Sequence, residues 1–118
     1  IRAGGEALLL KTGNDGSSCL HAACRQGHLE IVKALIKAGG AALVLTARKD
    51  GCSCLLIACL RGHLAIVKAL ADAGGEALLR MTDSLYGYSC LHGACAAGHA
   101  PVVDFLLSLP ACAGLVGL

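Results

Sequence analysis

The chain has 118 residues and a net charge of +2, with 56% hydrophobic and 15% charged residues. That composition is too apolar for a disordered segment, and a small charge spread along the chain lacks the basic footprint of a nucleic-acid binder. Aromatic residues make up only 3%, so the core must be filled by Ala, Leu, Ile, Val and Cys, which suits closely packed helices.

In chain order, Gly4 and Gly5 read as the tail of a preceding half-repeat, a finger over residues 1–15. From Gly16 to His28 the sequence states a pattern that returns at Gly51 to His63 and again at Gly87 to His99. A unit this short cannot bury its own apolar face and must stack on its neighbours. The whole chain, 1–118, is therefore expected to be one array, divided as 1–15, 16–50, 51–86 and a truncated terminal repeat at 87–118.

Each repeat resolves into the same parts. Ser18, Ser53 or Ser89 stands where an N-cap belongs, and Gly27, Gly62 or Gly98 where a C-cap glycine would close a short apolar helix. The next segment, Leu29 to Ile36, carries apolar Ile31, Val32, Leu35 and Ile36 with charged Glu30 and Lys33, the pattern of an amphipathic second helix. Leu64 to Leu70 and Val102 to Leu107 match it. Gly39-Gly40 and Gly74-Gly75 are expected to close that helix. The segment Ala41 to Asp50 that follows has two readings, a short extended hairpin arm or an extra helical turn.

The mean hydropathy is +0.69, and the uncharged run from Ser84 to Val103 is long enough to raise a membrane question at roughly 20 residues. It contains His92, His99, Pro101 and several Gly, and it repeats a pattern whose other copies carry Arg and Lys. It is read as packed core, with no membrane partner and no nucleic acid. No secretory leader pattern stands at the start. The sequence opens on Ile1 and ends on apolar Ala113 to Leu118, where a capping repeat would be polar. The expectation is a piece of a longer array, with end-to-end self-association through uncapped faces.

Leu20-His21-Ala22-Ala23 with Gly27-His28-Leu29-Glu30-Ile31-Val32, echoed by Leu91-His92-Gly93-Ala94 with Gly98-His99, resembles the ankyrin repeat. The resemblance implies an all-α fold, an ankyrin-repeat α-solenoid of stacked helix-turn-helix units with finger-like connections. Two departures stand out: Ser18-Cys19, Ser53-Cys54 and Ser89-Cys90 replace the family's Thr-Pro, and the repeat is slightly longer than the usual length of about 33 residues. The resemblance also implies structural roles for the histidines. His28, His63 and His99 are expected to hydrogen-bond across the turn and to the next repeat, and His21 and His92 occupy the Leu-His position.

Eight cysteines invite a chemical reading. Equivalent cysteines on adjacent helices are expected to lie about 8–10 Å apart, too far for a disulfide, which needs Cα atoms within roughly 7 Å, or for shared ligation of one zinc. They are read as small buried hydrophobes. Unpaired thiols in this number favour an intracellular, reducing compartment, cytoplasmic or nuclear. The glycines form no phosphate-binding loop, and no base stands spare beside a nucleophile. No catalytic residue, metal or cofactor is assigned.

What varies between repeats is then the place to seek function. The finger tips differ in charge and shape and supply Asn14, Asp15, Arg48, Lys49, Asp50, Leu85 and Tyr86. The residue after the opening Gly is Ser17, Cys52 or Tyr88, and the first-helix ends read Arg25-Gln26, Leu60-Arg61 and Ala96-Ala97, supplying Arg25 and Arg61. By resemblance these positions form a concave surface that binds a protein partner, here one with an acidic or mixed surface. Tyrosine is a favoured interface anchor, and both tyrosines of the chain lie in this set. The competing readings are a metal- or thiol-reactive Cys-rich module and a designed or structural array with no specific ligand.

Overall fold

The computed structural model describes residues 16–84 and 87–109. Among them lie six helices: α1 (Cys19–Gln26), α2 (Leu29–Val44), α3 (Cys54–Arg61), α4 (Leu64–Leu79), α5 (Cys90–Ala97) and α6 (Ala100–Leu107). They pair as three helical hairpins, α1 with α2, α3 with α4 and α5 with α6. The first helices α1, α3 and α5 pack side by side in one row, and α2, α4 and α6 form the second row. Stacking in one direction gives principal extents of 44 × 27 × 22 Å.

The predicted caps form. Ser18, Ser53 and Ser89 are extended N-caps whose hydroxyls accept the backbone N–H three residues on, which satisfies a donor the helix cannot. The first helices end at Gly27, Gly62 and Gly98, each left-handed, with φ of 81°, 73° and 76°. Small residues on the first helices (Ala23, Cys24, Ala58, Cys59, Ala94) are buried beside Leu20, Leu55, Ile66, Val67, Leu70, Val102 and Leu106. Their size allows the rows to approach, as the aromatic-poor composition requires.

The second helices depart from expectation at the glycine pairs. They do not end there: helical turns resume after Gly40 and Gly75, whose φ of 59° and 58° kinks the chain, and run on to Val44 and Leu79. The two glycines of each pair do different work. A Cβ at Gly39 would stand 2.6 Å from the side chain of Leu43, and one at Gly74 would stand 2.5 Å from that of Leu78. The first glycine supplies space and the second supplies the positive φ. The kink folds Leu43, Val44, Leu78 and Leu79 back into the core, where all are at most 4% exposed.

The finger therefore contains both readings of the sequence in succession. The extra helical turn comes first, with the Thr46 hydroxyl donating to Ala42 O at 2.8 Å. A tight turn follows, closed by Arg48 N–H to Cys52 O at 3.0 Å and Gly51 N–H to Arg48 O at 2.8 Å, with a single antiparallel bridge between Ala47 and Ser53.

Candidate surface on fingers and first helices

Successive fingers stack edge to edge. A Cβ on Gly16 would lie 2.8 Å from Lys49 N, and one on Gly51 would lie 2.8 Å from Ser84 N. Ser84 N–H donates to Asp50 O at 2.6 Å. The tips thus form a row beside the first helices, and their backbones are fixed by each other rather than by a ligand.

The candidate residues take different places in that row. Lys49 and Arg61 are exposed, while Ser17, Arg25 and Asp50 are partly buried. Arg48 is turned into the fold: its guanidinium holds Asp50 at 3.0 Å, and the other Asp50 oxygen accepts Cys52 N–H at 3.0 Å. Asp50 thereby braces its own turn, and Lys49 is left as the outward cation of that tip. Tyr88 is 38% exposed and stacks on His92, with ring centroids 5.5 Å apart and planes 8° from parallel. Cys52 lies inside, 7% exposed, with its thiol on Ser53 O, so its side chain supports the turn. Asn14, Asp15, Leu85 and Tyr86 fall outside the described residues, as do the half-repeat finger and the end segments on which self-association was expected.

Leu60, 41% exposed, stands on this surface beside Arg61, as the variable pair at the end of α3 implies. His92, given only a structural role by the sequence reading, is exposed and stacks under Tyr88, which lies just before the N-cap Ser89.

The histidines do hold repeats together, with directions that correct the expectation. His99 Nε2 lies 3.0 Å from Leu60 O of the preceding repeat, and the His63 ring lies against Gly27, also one repeat back. His21 is the residue that reaches forward. Its Nδ1 accepts Ser18 N–H at 3.1 Å, which leaves Nε2 as the donor to Cys52 O at 3.2 Å. It is fully buried, so one neutral tautomer serves the cap and the next repeat together. The middle repeat has Leu56 there, and its Cδ1 occupies the space a Cβ on Gly93 would need, 2.6 Å away.

The cysteines influence each other across repeats along a diagonal. Cys24 near the end of α1 is influenced by Cys54, the first residue of α3, a pair that equivalence between repeats does not single out. The neighbouring Cys54 thiol first, then burial, push the Cys24 thiol far above its ordinary range. Burial first, then the Asp50 carboxylate, push the Cys52 thiol up to about 11. A thiol kept protonated in the fold contributes stability that is complete below its ordinary value of 9.0 and is lost as pH rises through the folded value. Thermal stability is therefore expected to fall between pH 9.0 and about 11, and Cys52→Ala is expected to flatten that fall. Melting curves of both proteins over this range check it; equal slopes contradict it.

Among the described residues no three His, Cys, Asp or Glu side chains come together to hold a metal ion. None of the described helices is long and apolar enough to cross a membrane. A family model described as ankyrin repeats (3 copies) matches residues 4–78 and 41–114. No curated protein matches the chain.

Proposed function

The chain belongs to the ankyrin-repeat family, and on that premise we propose that it binds a protein partner non-covalently through its finger tips and first helices. Ankyrin repeats are generally protein-interaction modules and typically non-catalytic, and stacked repeats create extended surfaces suited to that use. The observation that carries the reading is the stacked row of tips. Its backbone is held by inter-finger contacts such as Ser84 N–H to Asp50 O, while its outward side chains change from repeat to repeat. A rigid frame with variable side chains spends little ordering entropy on binding.

Lys49 and Arg61 give this surface exposed positive charge, and Tyr88 over His92 gives it a flat aromatic anchor. The partner is accordingly read as an acidic or mixed protein surface, steered by charge and anchored by the tyrosine. With a partner captured under reducing conditions, alanine at Lys49, Arg61 and Tyr88 together is expected to weaken affinity by at least about tenfold, roughly 1.4 kcal/mol. The single Lys49→Ala is expected to act mainly on the association rate and to lose its effect in high salt. Titration calorimetry and stopped-flow association read the two effects. Unchanged affinity of the triple variant would place binding on another surface.

A further inference from the structure

Equivalent residues of the three repeats differ in burial according to their place in the array. At the second-helix position held by Ile31, Ile66 and Val102, Ile31 is 50% exposed, whereas Ile66 and Val102 are each 1% exposed. His28 is likewise exposed where His63 and His99 are partly buried. The first-helix position of Cys24, Cys59 and Cys95 runs the other way, with Cys24 and Cys59 buried and Cys95 exposed. Ile31 and His28 therefore belong to the leading face, which each repeat turns to the one before it. Cys95 belongs to the trailing face, which each repeat turns to the one after. Both internal junctions join one face of each kind.

We propose that a second copy of this chain docks head to tail, with Ile31 and His28 on the leading face of its first repeat seated on the trailing face of the third. The internal junctions supply the pattern. The His63 ring lies against Gly27 and the His99 ring against Gly62, in each case the loop glycine of the repeat before. Gly98 is the third member of that series, with φ of 76° against 73° at Gly62, and no described atom stands within 4 Å of the place its Cβ would take. The depression there is lined by Ala94, Cys95 and Val103. His28 of the second copy fills it as His99 does at Gly62, with Nε2 toward Ala96 O, the counterpart of the Leu60 O that lies 3.0 Å from His99 Nε2.

Charge fits the same occupant. Between the second and third repeats, Lys68 Nζ stands 5.7 Å over the Phe105 ring. The equivalents of those two residues on the open faces are Asp104, which also lines the depression, and Ala34, whose helix neighbours Lys33 and Lys37 are exposed. Docking brings the Asp104 carboxylate within reach of those lysines and takes Ile31 out of water onto small apolar residues. A contact between two different faces leaves one of each kind free on the product, so copies add in an open row rather than a closed pair.

The test follows the full chain by analytical ultracentrifugation from micromolar to millimolar concentration, under reductant so that exposed Cys19 and Cys95 form no disulfides. The weight-average mass is expected to climb from 11.8 kDa past the dimer without levelling. Ile31→Glu and Cys95→Glu each place a charge on one face, at exposed positions, and circular dichroism checks that both variants keep the parent's fold. Each alone is expected to stay monomeric where the parent assembles. Their equimolar mixture is expected to give dimers and nothing larger, because it retains one intact face of each kind. A parent that is monomeric throughout leaves these faces to another occupant and overturns the proposal. Assembly that survives either substitution, or a mixture that stays monomeric, also overturns it.

Discussion

Replacing His21 with Ala is expected to destabilise the fold by about 2–4 kcal/mol, because it empties a buried site and removes bonds to two repeats at once. The ring is fully buried, accepts the Ser18 N–H and meets Cys52 O. Alanine leaves the Ser18 N–H without its acceptor in a site sealed from water. Cys52 O suffers less, since it keeps the Arg48 N–H at 3.0 Å. His21→Leu is expected to cost less, about 1–2 kcal/mol, because the middle repeat already accommodates Leu56 at 3% exposure in the corresponding place. Urea melts of the two variants check the order; equal costs would mean that shape alone, without the hydrogen bonds, holds this position.

The loop glycines give the second large effect, and the array supplies its own control. Gly62 and Gly98 have nearly the same left-handed φ, 73° and 76°, so an alanine at either meets a backbone cost of about 1–2 kcal/mol. At Gly98 no described atom lies within 4 Å of the new Cβ, whereas at Gly62 the His99 ring is met at 2.6 Å from Nδ1 and 2.8 Å from Cγ. The ring would have to leave its place and loosen its bond to Leu60 O. Gly62→Ala is therefore expected to cost about 1–3 kcal/mol more than Gly98→Ala, the usual range for overpacking. Denaturant midpoints of the two variants give the difference directly. A larger loss at Gly98 would contradict the packing of His99 on the loop.

These two sites show which parts of the architecture were legible in the chain. Ser caps, loop glycines and the apolar stripe of the second helix act within a few residues, so Ser18, Gly27 and the spacing of Ile31, Val32, Leu35 and Ile36 announced the helices directly. The extension beyond Gly40 was legible only as one of two readings. A Gly-Gly pair stops a helix by default, and only burial of Leu43 and Val44, a tertiary effect, makes the turn resume. The reach of the histidines was hidden for a related reason. Register shows which residues are equivalent, but the offset between stacked helices decides which ones touch.

The candidate surface was legible as variation rather than as geometry. Lys49, Arg61 and Tyr88 stand outward in the structure, but Cys52, identical to them by the criterion of variation, is packed inside. Variation marks both solvent-facing residues and residues that adapt to a neighbouring finger. Burial separates the two. Leu60 joins the outward group on the same ground.

The most direct test of the account compares two substituted faces in one capture experiment from a reducing lysate, read by quantitative mass spectrometry. One variant carries Ala at Lys49, Arg61, Tyr86 and Tyr88; the other carries Ala at Lys33, Lys37 and Lys68, exposed positions on the second helices. The account predicts a set of proteins held by the parent and by the second-helix variant but lost from the first. Loss from the second-helix variant alone would contradict it and move recognition to the opposite face of the array.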